Sequence, residues 1–119
     1  MTRQREKAKL DQLCMITEMA WVVSSQGLRD CVAAERAVSA KLIGLAESKR
    51  SNLALLYGAE HADASVIRSV SSWLRWSERE RQRLNLDLAR HRAALAAEQA
   101  KARKAFGRRE AARKLRERG

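Results

Sequence analysis

The chain has 119 residues, no proline, and 25 Lys plus Arg against 14 Asp plus Glu, which gives a formal net charge of +11. This length predicts one domain, spanning residues 1–119. The composition is 45% hydrophobic but only 4% aromatic, and it is rich in Ala, Leu, Glu, Arg and Lys, which is typical of long helices and coiled coils. The most apolar stretch, residues 13–23, is too short to cross a bilayer, and the charged start lacks a signal-peptide pattern, so we expect a cytoplasmic protein.

The first half of the chain carries apolar residues at steps of three and four, the spacing of one helical face. This spacing predicts a first helix over about residues 3–57. One register comprises Leu28, Cys31, Val38, Leu42, Leu45 and Leu56. Upstream, the stripe is expected to continue in a slightly shifted phase through Leu10, Leu13, Ala20 and Val23.

A turn is predicted at about residues 58–63, near the midpoint of the chain. Gly58 is placed where a helix often ends on a residue with positive φ. Asp63 or Ser65 can cap the next helix by accepting a hydrogen bond from a free backbone N–H.

The second half resumes the helical spacing and predicts a second helix over about residues 64–116. Its stripe comprises Ile67, Val70, Leu74, Leu84, Leu88, His91, Leu95, Ala102 and Ala105. Two long helices joined by a short loop are expected to fold back as an antiparallel coiled-coil hairpin, with the N- and C-termini at the same end. A fold point near residue 60 predicts that residue i lies beside residue 120 − i.

The positive charge is concentrated at the two ends of the chain. Residues 1–10 carry a net +3 and residues 101–119 a net +7, which leaves +1 for the residues between them. The hairpin would bring these ends together as one basic, partner-binding end. Its candidate residues are Arg3, Arg5, Lys7, Lys101, Arg103, Lys104, Arg108, Arg109, Arg113, Lys114 and Arg116.

A second candidate surface is apolar. Residues 13–23 are apolar nearly all round the helix, whereas their expected neighbours, residues 97–107, are mostly small or polar. Such a partner cannot cover Met15, Met19, Trp21 and Val22 together, and an excess apolar patch is typical of an interface. The alternative is that a different register or another segment covers the patch.

The sequence offers no pattern for catalysis, so we expect neither enzyme activity nor a cofactor. The two His and two Cys residues, at positions 14, 31, 61 and 91, lack the spacing of metal ligands. No phosphate-binding glycine loop is present.

The chain resembles the FliJ-type stalk proteins of flagellar and type III protein export apparatuses. The resemblance lies in the turn at Tyr57-Gly58, the apolar-aromatic stretch from Val70 to Trp76, the Glu/Arg-rich run after it, and the basic segment of residues 104–118. It implies a hairpin whose paired termini enter a hexameric export ATPase and which also contacts an export-gate protein. In such a stalk, Arg108, Arg109, Arg113 and Arg116 would matter for stimulation of the ATPase.

Three other functions remain open from the residues alone. A basic hairpin with this net charge has non-specific affinity for nucleic acid, although no aromatic platform accompanies the cations. A second alternative is a structural scaffold that forms a homodimer through the patch at residues 13–23. A membrane-surface helix is the least favoured, because residues 101–118 are basic nearly all round the helix.

Overall fold

The computed structural model describes residues 2–58 and 63–119, and it confirms the all-α hairpin of two antiparallel helices. Helix α1 comprises Thr2–Tyr57 and helix α2 comprises Ala64–Arg118. Both ends of α1 and the start of α2 agree with the sequence prediction to within one residue, and α2 ends two residues later than expected. The absence of proline lets each helix continue for more than 50 residues.

The start of α2 is capped as predicted by Asp63, whereas Gly58 does not behave as predicted. The main-chain oxygen of Asp63 accepts from the N–H of Ile67 at 3.1 Å, and its carboxylate accepts from the N–H of Ser65 at 3.4 Å. Among the described residues, no glycine has a positive φ. The N–H of Gly58 instead donates to the oxygen of Ala54 at 2.8 Å, so the helical bonding continues through Gly58 and requires no left-handed residue. Residues 59–62 of the predicted turn lie outside the described residues.

The chain divides into two units, each an antiparallel pair of helical segments. The terminal unit comprises Met1–Ala33 and Ala93–Gly119, and the central unit comprises Ala34–Arg92. In the terminal unit, the guanidinium of Arg116 lies 3.9 Å from the carboxylate of Asp11. In the central unit, Arg92 pairs with Glu35 at 3.4 Å.

The face of α1 that packs on α2 follows unbroken steps of three and four residues. In the terminal unit these positions are Leu10, Cys14, Thr17, Trp21, Ser24, Leu28 and Cys31, and all of them are half-buried. The predicted change of phase upstream of Leu28 is wrong, because Leu13 and Val23 are exposed. Thr17 and Ser24 are polar although they lie on the seam. The apolar residues in this part of α1 therefore follow a neighbouring face of the helix and not the face that packs on α2.

The register differs from the expected one by seven residues in both units. Trp21 lies against Phe106, where 120 − i predicts Gln99, and Glu35 pairs with Arg92, where it predicts Asn85. At the start of α2, the residues before Val70 are exposed and Val70 is the first buried one. A shift of one heptad leaves the same face of each helix in contact, so the predicted stripe of α2 is retained from Val70 onward, whereas Ile67 is exposed.

The core is a single narrow seam whose composition differs between the units. In the central unit Val38, Val70 and Leu84 are buried, together with the polar Ser77. In the terminal unit the buried residues are Ala102, Ala105 and Ala112. Alanines on α2 leave room for the larger residues of α1, among them Trp21.

Candidate protein-binding surfaces of the terminal unit

A cluster of one cation and two aromatic rings lies on the seam of the terminal unit. The rings of Trp21 and Phe106 have centroids 5.4 Å apart and meet edge to face at 61°. The guanidinium of Arg109 lies 5.0 Å from the Trp21 ring and 5.4 Å from the Phe106 ring. Such contacts stabilise a partly desolvated guanidinium by roughly 1 kcal/mol each. Trp21, predicted to be part of an exposed patch, is therefore half-buried.

Three of the predicted partner-binding arginines are engaged in ion pairs within the unit. Arg109 and Arg113 both reach the carboxylate of Glu18, at 3.6 and 3.3 Å, and both also lie near Glu110. Arg116 lies 3.9 Å from Asp11. These pairs join α1 to α2, so part of the positive charge predicted for the basic end serves the packing of the two helices.

The other predicted cations stand outside this network. Lys101 pairs with Glu98 on its own helix at 3.3 Å. Within residues 2–58 and 63–119, the remaining seven are exposed and take part in no ion pair; they are Arg3, Arg5, Lys7, Arg103, Lys104, Arg108 and Lys114. We call the four on α2, Arg103, Lys104, Arg108 and Lys114, the outer cations.

An apolar face of α1 lies away from α2. It consists of Met15, Ile16, Met19, Val22 and Val23, and we call it the apolar outer face. Met19 is 63% exposed and Val23 is 72% exposed, values that are unusual for neighbouring apolar residues. The patch predicted from the sequence includes Met15, Met19 and Val22 but not Ile16 and Val23. Ile16 and Val23 are seven residues apart and therefore lie on one helical face. The seam positions on either side of them would have identified it as this face.

The central unit also carries ion pairs along one helix. Glu78 accepts from Arg81 at 3.0 and 2.5 Å, and Glu80 pairs with Arg83 in the same way. Hydrogen bonding to the arginine is the largest cause that holds the pKa of each glutamate below its ordinary value of 4.5. These side chains are solvent-exposed, so the pairs stabilise the helix weakly.

The described part of the chain shows neither a cluster of metal-binding side chains nor a membrane-spanning stretch. No three His, Cys, Asp or Glu side chains of residues 2–58 and 63–119 gather as they would around a metal ion. Neither helix, over the residues described, contains a stretch long and apolar enough to span a membrane. Cys14 and Cys31 are free thiols and are half-buried on the seam.

The fold and these surfaces define a two-helix coiled-coil hairpin with a cationic surface and an apolar surface on its terminal unit. Comparisons with family models, with curated proteins and with solved structures found no match to this chain. The proposal for the function therefore depends on the residues of this chain alone.

Proposed function

We propose that this protein is a non-enzymatic coiled-coil stalk or adaptor of a flagellar or type III protein export apparatus in the cytoplasm. Its terminal unit would insert into the acidic interior of a hexameric export ATPase and contact an export-gate protein. The observation that supports this proposal most is that, of the cations predicted for the basic end, seven are exposed and take part in no ion pair in the described part of the terminal unit.

Concentrating like charges on one pair of helices costs electrostatic free energy. Like charges within a few ångströms repel, and this repulsion opposes folding unless a counter-charge is supplied. The cations of the seam obtain theirs from Glu18, Asp11 and Glu110. The outer cations have none among the described residues, so an acidic partner surface would relieve their repulsion and orient the hairpin during encounter.

The residues of the predicted basic end therefore fall into two groups with different roles. Arg109, Arg113 and Arg116 hold α1 to α2 and are expected to matter for stability more than for binding. Arg108, the fourth arginine that the family resemblance points to, is exposed and belongs to the outer cations. Binding is therefore assigned to the outer cations and to Arg3, Arg5 and Lys7 of α1.

A pull-down from the native cell tests the proposal, with nuclease present, moderate salt, and identification by mass spectrometry. The bait is compared with a variant in which the four outer cations are changed to glutamine. A matched control changes four exposed arginines of the central unit to glutamine, namely Arg36, Arg50, Arg68 and Arg75. Both variants lose four charges, so they differ only in the unit that loses them.

The proposal expects an export ATPase or an export-gate protein with the wild-type chain and with the control, and its loss with the outer-cation variant. Recovery that disappears when nuclease is added would assign the chain to nucleic acid and overturn the proposal. Equal loss in both variants would show that net charge alone drives the association, which also contradicts it.

A further inference from the structure

The apolar outer face of α1 has a sequence pattern that is nearly the same in both directions from Met19. On each side of Met19 the helix first presents two apolar residues, which are Met15 and Ile16 toward the N-terminus and Val22 and Val23 toward the C-terminus. A surface with this symmetry can pair with itself about a two-fold axis, which is the commonest interface of homodimers.

The polar residues that flank this face extend the same pattern. At seven residues from Met19, a glutamine stands on each side, Gln12 and Gln26. Beyond the glutamines each end carries both signs of charge, Asp11 and Lys9 at one end and Arg29 and Asp30 at the other. All of these flanking residues are exposed, and Lys9 and Asp30 have opposite sign.

We infer that two copies of this chain associate through the apolar outer face of α1, with the two α1 helices antiparallel and the two-fold axis at Met19. In this arrangement Met15 and Ile16 of one copy pack on Val22 and Val23 of the other. Lys9 of each copy then faces Asp30 of its partner.

Charge complementarity selects this orientation over the parallel one. A parallel pair would place Lys9 beside Lys9 and Asp30 beside Asp30, and like charges directly opposite each other are unfavourable. The antiparallel pair replaces both repulsions with attractions. Arg29, the neighbouring cation, donates to Gln26 at 3.0 Å, and Gln26 donates to Asp30 at 2.8 Å, so these side chains already form a network at that edge.

A second copy is also the occupant that suits the chemistry of the face. The five apolar side chains lie on one helix surface without a charge among them, so a strongly charged partner would leave its own charges desolvated there. Methionines at the centre of the face adapt their shape to an apolar neighbour. The inference does not depend on the export proposal, since the outer cations belong to α2 and the dimer surface belongs to α1.

Sedimentation velocity over a range of concentrations tests the inference on the full chain. The wild-type mass is expected to rise from 13.5 kDa toward twice that value as concentration increases. Met19→Glu is expected to raise the dimer Kd by more than roughly 100-fold, because the axis places the two carboxylates together in an apolar contact. Ile43→Glu is the matched control, since Ile43 is 61% exposed on the central unit, and it is expected to leave the Kd unchanged.

Charge swaps then test the orientation. Lys9→Asp and Asp30→Lys are each expected to raise the Kd by about tenfold, since the two-fold axis counts each change twice. The double variant, K9D with D30K, is expected to restore it. Far-UV circular dichroism must show the same helix content in all variants, because every substituted side chain is exposed.

Disulfide formation provides an independent measurement in a Cys14→Ser, Cys31→Ser background. Met19→Cys is expected to cross-link readily, and a mixture of Lys9→Cys and Asp30→Cys chains is expected to cross-link to each other. A chain that remains at 13.5 kDa at all concentrations overturns the inference. Cross-links between two Lys9→Cys chains would overturn the antiparallel orientation.

Discussion

Trp21 of α1 packs edge to face on Phe106 of α2, with ring centroids 5.4 Å apart. This contact fixes the register of the terminal unit, because the two largest seam side chains of that unit meet there among alanines. Arg109 lies over both rings, and its guanidinium forms an ion pair with Glu18. Trp21 and Arg109, which were both expected to bind a partner, thus first serve the helix pair itself.

Trp21→Ala is expected to lower the free energy of unfolding by about 2 kcal/mol, since it removes a half-buried indole and its contact with Phe106. Urea unfolding followed by far-UV circular dichroism measures the loss. Leu86→Ala is the control, because Leu86 is 62% exposed and its truncation should cost less than about 0.5 kcal/mol. Equal midpoints for the two variants would show that the aromatic contact does not hold the unit together.

Glu18→Gln is expected to destabilise the chain by about 1 kcal/mol, because the mostly buried Arg109 side chain loses a carboxylate with which it forms an ion pair. A double-mutant cycle with Arg109→Gln isolates the coupling between the two residues. The pair Glu78 and Arg81, both exposed on one helix, supplies the comparison and should show much weaker coupling. A coupling no larger for Glu18 than for Glu78 would refute the structural role given to Arg109.

Gly44→Ala is expected to raise the free energy of unfolding by about 1 kcal/mol, because alanine is the better helix former and a Cβ at this position would meet nothing within 4 Å. Gly27→Ala should gain less, since its Cβ would lie 2.9 Å from Oε2 of Glu98, which must move aside. Thermal unfolding of the two single variants gives the order. The opposite order would mean that Glu98 moves at no cost and that Gly44 is needed for packing.

Lowering the pH is expected to weaken α2 through Glu78 and Glu80. Their pKa values are held below the ordinary 4.5 by hydrogen bonds from Arg81 and Arg83. A depressed folded-state pKa contributes stability above the unfolded-state value, and this stability is lost as the pH falls through the folded-state value. The melting temperature should therefore fall less between about pH 6 and about pH 3 in a Glu78→Gln, Glu80→Gln variant than in the wild type. An identical fall in both would show that these pairs do not contribute.

The sequence predicted the helices and, except on α1 upstream of Leu28, the faces that meet, because apolar spacing and the cap at Asp63 are local signals. It did not predict the register, since a heptad repeat pairs equally well when it is displaced by seven residues. The displacement is seen where Trp21 packs on Phe106, a contact between segments that are distant in sequence.

The candidate site was also predicted only in part. The positive charge of the terminal segments was visible in the composition, but the pairing of Arg109 with Glu18 depends on the register and was not. The exposure of Met15, Met19 and Val22 followed from an excess of apolar residues. The burial of Trp21 did not, because its partner Phe106 lay seven residues from Gln99, the neighbour expected for it.

The central claim is that the outer cations bind an export ATPase, and the rate of ATP hydrolysis tests it most directly. The purified hexameric export ATPase of the native cell is assayed with the wild-type chain, with the outer-cation variant, and with the central-unit control in which Arg36, Arg50, Arg68 and Arg75 are glutamine. The account predicts stimulation by the wild type and by the control, and its loss with the outer-cation variant. A hydrolysis rate that the wild-type chain leaves unchanged, without complex formation in the same buffer, would contradict the account.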